Sequence, residues 1–128
     1  MGIPTGTGSE VLYSGSIEAQ SNTGTSFRWD KTNPTLGTST YVVPANHLIT
    51  LLNVIFCEVA GNAAQVYLWL YNGSSTINIL REQDLPAKGT FVFNDKIIAV
   101  PGNKIIVETA GTADVDVTYN FIDQNWED

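Results

Sequence analysis

Histidine, cysteine and the acids are where chemistry would have to begin, and this sequence offers few of them. His47 is the sole histidine. As a general base it would need a nucleophile or an acid within hydrogen-bonding reach. A Ser-His-Asp triad would have to assemble around that one imidazole, and no G-x-S-x-G elbow supplies a partner. His47 therefore reads as a structural or surface residue. Glycoside hydrolysis needs two carboxyl groups flanking the scissile bond. The pairs on offer are Glu82 with Asp84, Asp114 with Asp116, and Asp123 with Glu127 or Asp128. Asp114 and Asp116 fall on one face of a strand, where a solvated polar face is the plainer account and weak calcium binding the alternative. EF-hand loops, P-loops and dinucleotide fingerprints are absent. Cys57 is the sole cysteine, which excludes an intrachain disulfide and a cysteine-based zinc site. Within Val54-Ile55-Phe56-Cys57 it reads as a small buried hydrophobe. No catalytic, cofactor-binding or metal-ligating residue is assigned, and the chain is not expected to be an enzyme.

Aromatic residues are better placed for binding. Val66, Leu68 and Leu70 alternate with Tyr67, Trp69 and Tyr71, so a strand here sets three rings on one face. An exposed stripe of that kind suits sugar rings or a protein interface. A strand buried on both faces is the competing account. Trp126, in the acidic segment Asp123-Gln124-Asn125-Trp126, is an unusual core element so near a chain end, and tryptophan is a favoured interface anchor. Trp126 and Asn125 are expected at an intersubunit contact, with docking on the chain's own sandwich as the other account.

The elements that must position these residues are strands. Helical periodicity is nearly absent, and a sandwich of about eight strands is expected from ten β-type runs separated by Gly, Asn and Pro. They are expected at 10–20, 26–30, 39–43, 47–59, 65–71, 76–81, 90–94, 96–100 and 104–109, with a last strand from Val115 through Phe121. The last has the cleanest pattern: Val115, Val117, Tyr119 and Phe121 alternate with Asp116, Thr118 and Asn120, the mark of a half-buried antiparallel strand. Asn72-Gly73, Pro86-Ala87-Lys88-Gly89 and Pro101-Gly102-Asn103 are turns. The fold class is all-β, an antiparallel β-sandwich with jelly-roll topology favoured over an immunoglobulin-like one. It divides into an arm at 1–9, a sandwich at 10–122 and a tail at 123–128.

At 128 residues with 43% hydrophobic content, the chain is one domain able to bury a core. Only 15% of residues are charged, and the net charge is −7. The six bases are scattered rather than clustered, so nucleic acid and anionic membranes are disfavoured as partners. The opening residues lack a basic start and an apolar core, and no apolar run reaches the length of a membrane span. The expectation is a soluble protein made in a cytoplasm.

Four segments together resemble small structural proteins of tailed bacteriophages. They are the opening from Gly2 through Leu12, the run from Tyr41 through Thr50, the run from Leu85 through Lys96, and the ending from Val115 through Trp126. The resemblance implies a virion β-sandwich: most plainly a capsid decoration or cement protein, alternatively a head-spike, neck or tail-attached module that binds a receptor or glycan. It implies a homotrimer and a major capsid or other virion protein as partners, a location on the virion, and no cofactor. An arm around Ile3 and Pro4 would lace into neighbouring subunits.

Overall fold

The computed structural model describes residues 9–20, 23–30, 32–110 and 114–126. Nine strands form two sheets: β1 (Ser9–Gln20), β2 (Thr25–Ser26), β3 (His47–Glu58), β4 (Ala64–Tyr71), β5 (Thr76–Leu85), β6 (Thr90–Phe93), β7 (Ile97–Ala99), β8 (Lys104–Ala110) and β9 (Val115–Asn125). Sheet I runs β1-β9-β3, with β6 and β7 sharing the lane beyond β3; sheet II runs β2-β8-β4-β5. All pairings are antiparallel. Nearly every connection crosses from one sheet to the other, and only β4 to β5 and β6 to β7 stay on one side. That strand order is a jelly roll with one lane split in two.

Alternation decides which residues meet in the middle. Val115, Val117, Tyr119 and Phe121 of β9 are buried against Val66 and Leu68 of β4 and Ile105 and Val107 of β8. Tyr119 ties the layers together. Its ring stacks on Phe27 at 4.0 Å, its hydroxyl donates to the Arg28 carbonyl at 2.9 Å, and it accepts the Arg28 N–H at 3.0 Å. Burial pushes its phenol pKa up, so it remains a neutral hydrogen-bonding group. Gly15 lies directly opposite Tyr119 on β1, and a Cβ there would stand 2.2 Å from the ring. Only glycine lets that ring lie across the edge strand.

A second fastening comes from Glu58, 1% exposed at the end of β3. Its carboxylate accepts main-chain N–H groups from Ala60 at 2.9 Å, Gly61 at 2.7 Å, Asn62 at 3.0 Å and Lys88 at 3.0 Å. One side chain thereby closes the β3–β4 turn and pins the β5–β6 turn beside it. Gln20 does similar work at the β1–β2 connection, accepting from the Thr25 hydroxyl at 2.6 Å and donating to the Thr23 carbonyl.

Several boundaries differ from those expected. Residues 39–43 form no strand; Val43 is held by single bonds to Asn103 and Gly102. The strand expected at 26–30 shrinks to Thr25–Ser26, because the loop through Thr38 takes the Ser26 N–H. β5 runs on to Leu85 through two register shifts, with Glu82 at φ 55°. β9 continues to Asn125, so residues 123–125 belong to sheet I rather than to a tail. Cys57 is half-exposed rather than buried, because alternation turns Phe56 and Glu58 inward and Cys57 outward, opposite Asp116.

Candidate functional site

The residues with catalytic potential are dispersed, apart from one pair. His47 Nδ1 lies 2.7 Å from Asp123 Oδ1, at the end of the sandwich where β3 and β9 meet. The Asp123 side chain is 10% exposed and that of His47 23%. An imidazole held by a carboxylate could serve as a base, but among the described residues no hydroxyl or thiol is bonded to it. The pair lies at the end of the sandwich near the chain's Trp126. Glu82 and Asp84 are exposed on β5, Asp114 is exposed ahead of β9, and Asp116 is half-buried on sheet I. Among the described residues no cluster of three or more His, Cys, Asp or Glu could hold a metal.

Trp126 is 3% exposed, buried on its own sandwich, and its main-chain N–H donates to the Asn46 carbonyl at 3.0 Å. Asn46 can present that carbonyl because it turns the chain at φ 64°. Asn125 is exposed beside it. Ile3, Pro4, Glu127 and Asp128 lie outside the described residues.

The surfaces able to do work are the two outer faces of the sandwich. On sheet I, Leu12, Ile122, Thr50 and Ile98 fall in one register row across four strands. Leu12 is 65% exposed and Ile98 58%. Val92 lies opposite Ile55, and Asn120 donates to Asn53 at 2.7 Å between these rows. Among the described residues the acids stand at the margins of the face, Glu10 at one end, Glu18 and Asp116 at the other, and Asp95 in the outer lane between β6 and β7.

On sheet II the outer face is aromatic. Tyr67 and Trp69 are half-buried with ring centroids 5.7 Å apart, and Tyr71 follows on the same strand face. Lys104, opposite Tyr71, holds its ammonium 4.9 Å from that ring and donates to the Ser39 carbonyl at 2.9 Å. The Phe27 N–H bond to Ile105 continues the β2–β8 register, which sets Arg28 opposite Lys104. The Arg28 guanidinium lies 4.3 Å from the centre of the Tyr41 ring, and Nη1 donates to the Tyr41 hydroxyl at 3.2 Å. Its other face is taken by Asp30, through Nε to Oδ1 at 3.0 Å and Nη2 to Oδ2. These bonds, with those from Thr32, outweigh the opposing effect of burial and hold Asp30 down to about 2, so the ion pair persists at any physiological pH. A depression of about 210 Å³ opens here, lined by Arg28, Trp29, Asp30, Thr40, Tyr41, Val42 and Pro44.

Sequence reasoning set Tyr67, Trp69 and Tyr71 on one face and missed the Arg28–Asp30–Tyr41 cluster. The i, i+2 spacing of Arg28 and Asp30 on extended chain was a signal for their pairing. Nothing local announces Tyr41, which arrives along a loop.

No family model matches the chain, and no curated protein matches it. Among solved structures, a chain of Bacillus endospore appendages, described as a novel family of disulfide-linked pili, is 10% identical with a TM-score of 0.47, covering 99% of this chain and 97% of that one. A chain of the infectious bursal disease virus VP2 subviral particle is 13% identical with a TM-score of 0.37 over 91% of this chain. A chain of the Gx strain of that virus is 13% identical with a TM-score of 0.34 over 98%. This chain spans 37% and 40% of the two viral chains. At these values none of the three bears on what this chain does.

Proposed function

We propose that this chain is a non-enzymatic structural subunit of a virion, a capsid decoration protein that reinforces a shell through contacts with neighbouring copies of itself and with shell protein. The observation that supports it is the outer face of sheet I. An acidic chain keeps charge to the margins of that one face and exposes Leu12 and Ile98 on it. Two such faces meet without the repulsion that the rest of the surface would impose. Four strands spaced ~4.8 Å apart and ~10 residues long give about 600 Å². That is comparable to the ~800 Å² per partner of a stable interface. The occupant we assign to it is another copy of this chain. The arm around Ile3 and Pro4 would extend the contact, its ordering entropy being offset by the surface it buries, and the exposed Asn125, beside the buried Trp126, would border it.

Sedimentation of the purified protein tests this directly, together with its occupancy on particles. The expected result is an oligomer that becomes monomeric in Leu12→Glu/Ile98→Glu, with particle occupancy lost in parallel. A monomeric wild type, or full occupancy by the double variant, would refute the reading. Removing residues 1–8 should weaken occupancy while the sandwich stays folded.

A further inference from the structure

The outer face of sheet II carries a different kind of surface from the one assigned to assembly. Rings on alternate residues of a strand stand ~6.6 Å apart on one side, so Trp69 and Tyr71 form a short ladder along β4. Across the strands the row runs Tyr71, Lys104, Arg28, Tyr41, and its far end opens into the depression beside Tyr41. Charge there is matched locally: the Asp30 carboxylate occupies two guanidinium N–H positions of Arg28. An anion entering would meet Asp30 and a chain of net charge −7, and a cation would meet Arg28 and Lys104. What remains is a mixed set of donors and acceptors. A guanidinium has five N–H donors and a carboxylate about four lone-pair sites. Asp30 and Tyr41 take three of the Arg28 donors. Thr32 adds two bonds to Asp30 Oδ1, so the acceptor left for a ligand is Oδ2, bonded once to Arg28, and Thr40 lies in the same wall.

We propose that this depression, continued by Tyr71 and Trp69, binds a neutral saccharide chain. One sugar sits in the depression, its hydroxyl groups accepting from Arg28 and donating to Asp30, and the following sugars lie on the aromatic ladder. A ring of hydroxyls above a patch of C–H groups satisfies both halves of the surface. An anionic sugar offers the same hydroxyl and C–H groups but adds a carboxylate that Asp30 and a chain of net charge −7 repel.

Affinity electrophoresis reads this out, because the acidic chain migrates on its own charge. The gels contain dextran, soluble starch or galactomannan, with polygalacturonate as the acidic counterpart. At least one neutral polymer should retard the wild type, and about 0.5 M salt should leave that retardation intact. Tyr41→Ala and Trp69→Ala should each weaken it about tenfold or more, while Leu12→Glu on the opposite sheet should not. Thermal unfolding run alongside confirms the fold, and Tyr41, on a loop outside the buried core, keeps the test decisive if Trp69→Ala unfolds. Failure of all three neutral polymers, retardation by polygalacturonate alone, or undiminished retardation of folded Tyr41→Ala would overturn the proposal.

Discussion

Outward positions on sheet I hold Leu12, Ile122 and Ile98, with acids only at the margins; those on sheet II hold Tyr67, Trp69, Tyr71, Lys104 and Arg28. Both faces rest on one core and one antiparallel lattice, so the contrast comes from side chains and not from architecture. On sheet I the apolar groups stand free of any described cover. On sheet II the two cations beside the rings and the depression are already engaged, Lys104 on Tyr71 and Arg28 on Tyr41 and Asp30. A face left apolar and uncharged costs solubility unless something covers it. A face whose polar groups are paired in place, with rings left half-open, is stable in water and still able to bind. The same fold thus carries two chemically distinct outer faces back to back, one proposed for assembly and the other for recognition.

The platform beneath both faces is the place to break the comparison most severely. Gly15→Ala forces a methyl group into the Tyr119 ring, which cannot retreat because Phe27 stacks behind it. Overpacking of that kind, with strain on the Tyr119–Arg28 bonds, should cost about 3 kcal/mol. Thermal unfolding should show a fall of about 10 °C. An unchanged midpoint would mean that β1 moves aside freely, and the sheet I face would not be the fixed surface described.

Acid should loosen the opposite margin of the molecule. Burial alone would raise the Glu58 pKa, but the N–H groups of Lys88, Ala60, Gly61 and Asn62 outweigh it and hold it below the ordinary 4.5. The folded chain therefore takes up this proton less readily than the unfolded one. The resulting stability is fully present above about pH 4.5 and is lost as pH falls through the lower folded value. In Glu58→Gln that part of the acid limb should vanish, and a pH series of unfolding midpoints for the two proteins should converge at the acid end. Parallel curves would show that the N–H bonds favour neither protonation state.

Leu12→Glu/Ile98→Glu comes next through its effect on assembly, since it should shift unfolding by no more than about 0.5 kcal/mol, both positions being exposed. Its effect belongs to assembly, and sedimentation should change while the unfolding midpoint does not. A large loss of stability would reassign these side chains to the sandwich itself and erase the distinction between the faces.

Much of this was legible in the sequence, and the failures have physical causes. The alternation of Val115 through Phe121 and of Val66 through Tyr71 fixes inside and outside because the period of a strand is two. The run of 47–58 hid its alternation, because Leu48, Ile55 and Cys57 face outward on a surface that is itself apolar. Glu58 was visible only as an interruption of that run, and its four N–H partners come from two separate turns. For Trp126 the sequence left an intersubunit contact and docking on its own sandwich both open, because the Asn46 carbonyl that holds its N–H in the buried position is distant in sequence. Loops carried the rest: Tyr41 reaches Arg28 through a segment with no strand pattern.

The smallest effect sharpens the contrast most. Lys104→Gln removes an ammonium that sits over Tyr71 and donates to the Ser39 carbonyl. An exposed cation–π contact is worth roughly 0.5–1 kcal/mol, and a single hydrogen bond adds about 1 kcal/mol at most. Glutamine keeps a donor, so the net loss should be about 1 kcal/mol or less. If the cations of sheet II are fasteners, that loss should appear in water and shrink only slightly in about 0.5 M salt, because a ring contact and a carbonyl bond are short-ranged. If Lys104 instead acts through the acidic field of the whole chain, salt should abolish the difference between variant and wild type. The first outcome leaves the Lys104–Arg28 row of sheet II locally paired and the centre of sheet I apolar; the second makes both faces parts of one electrostatic surface.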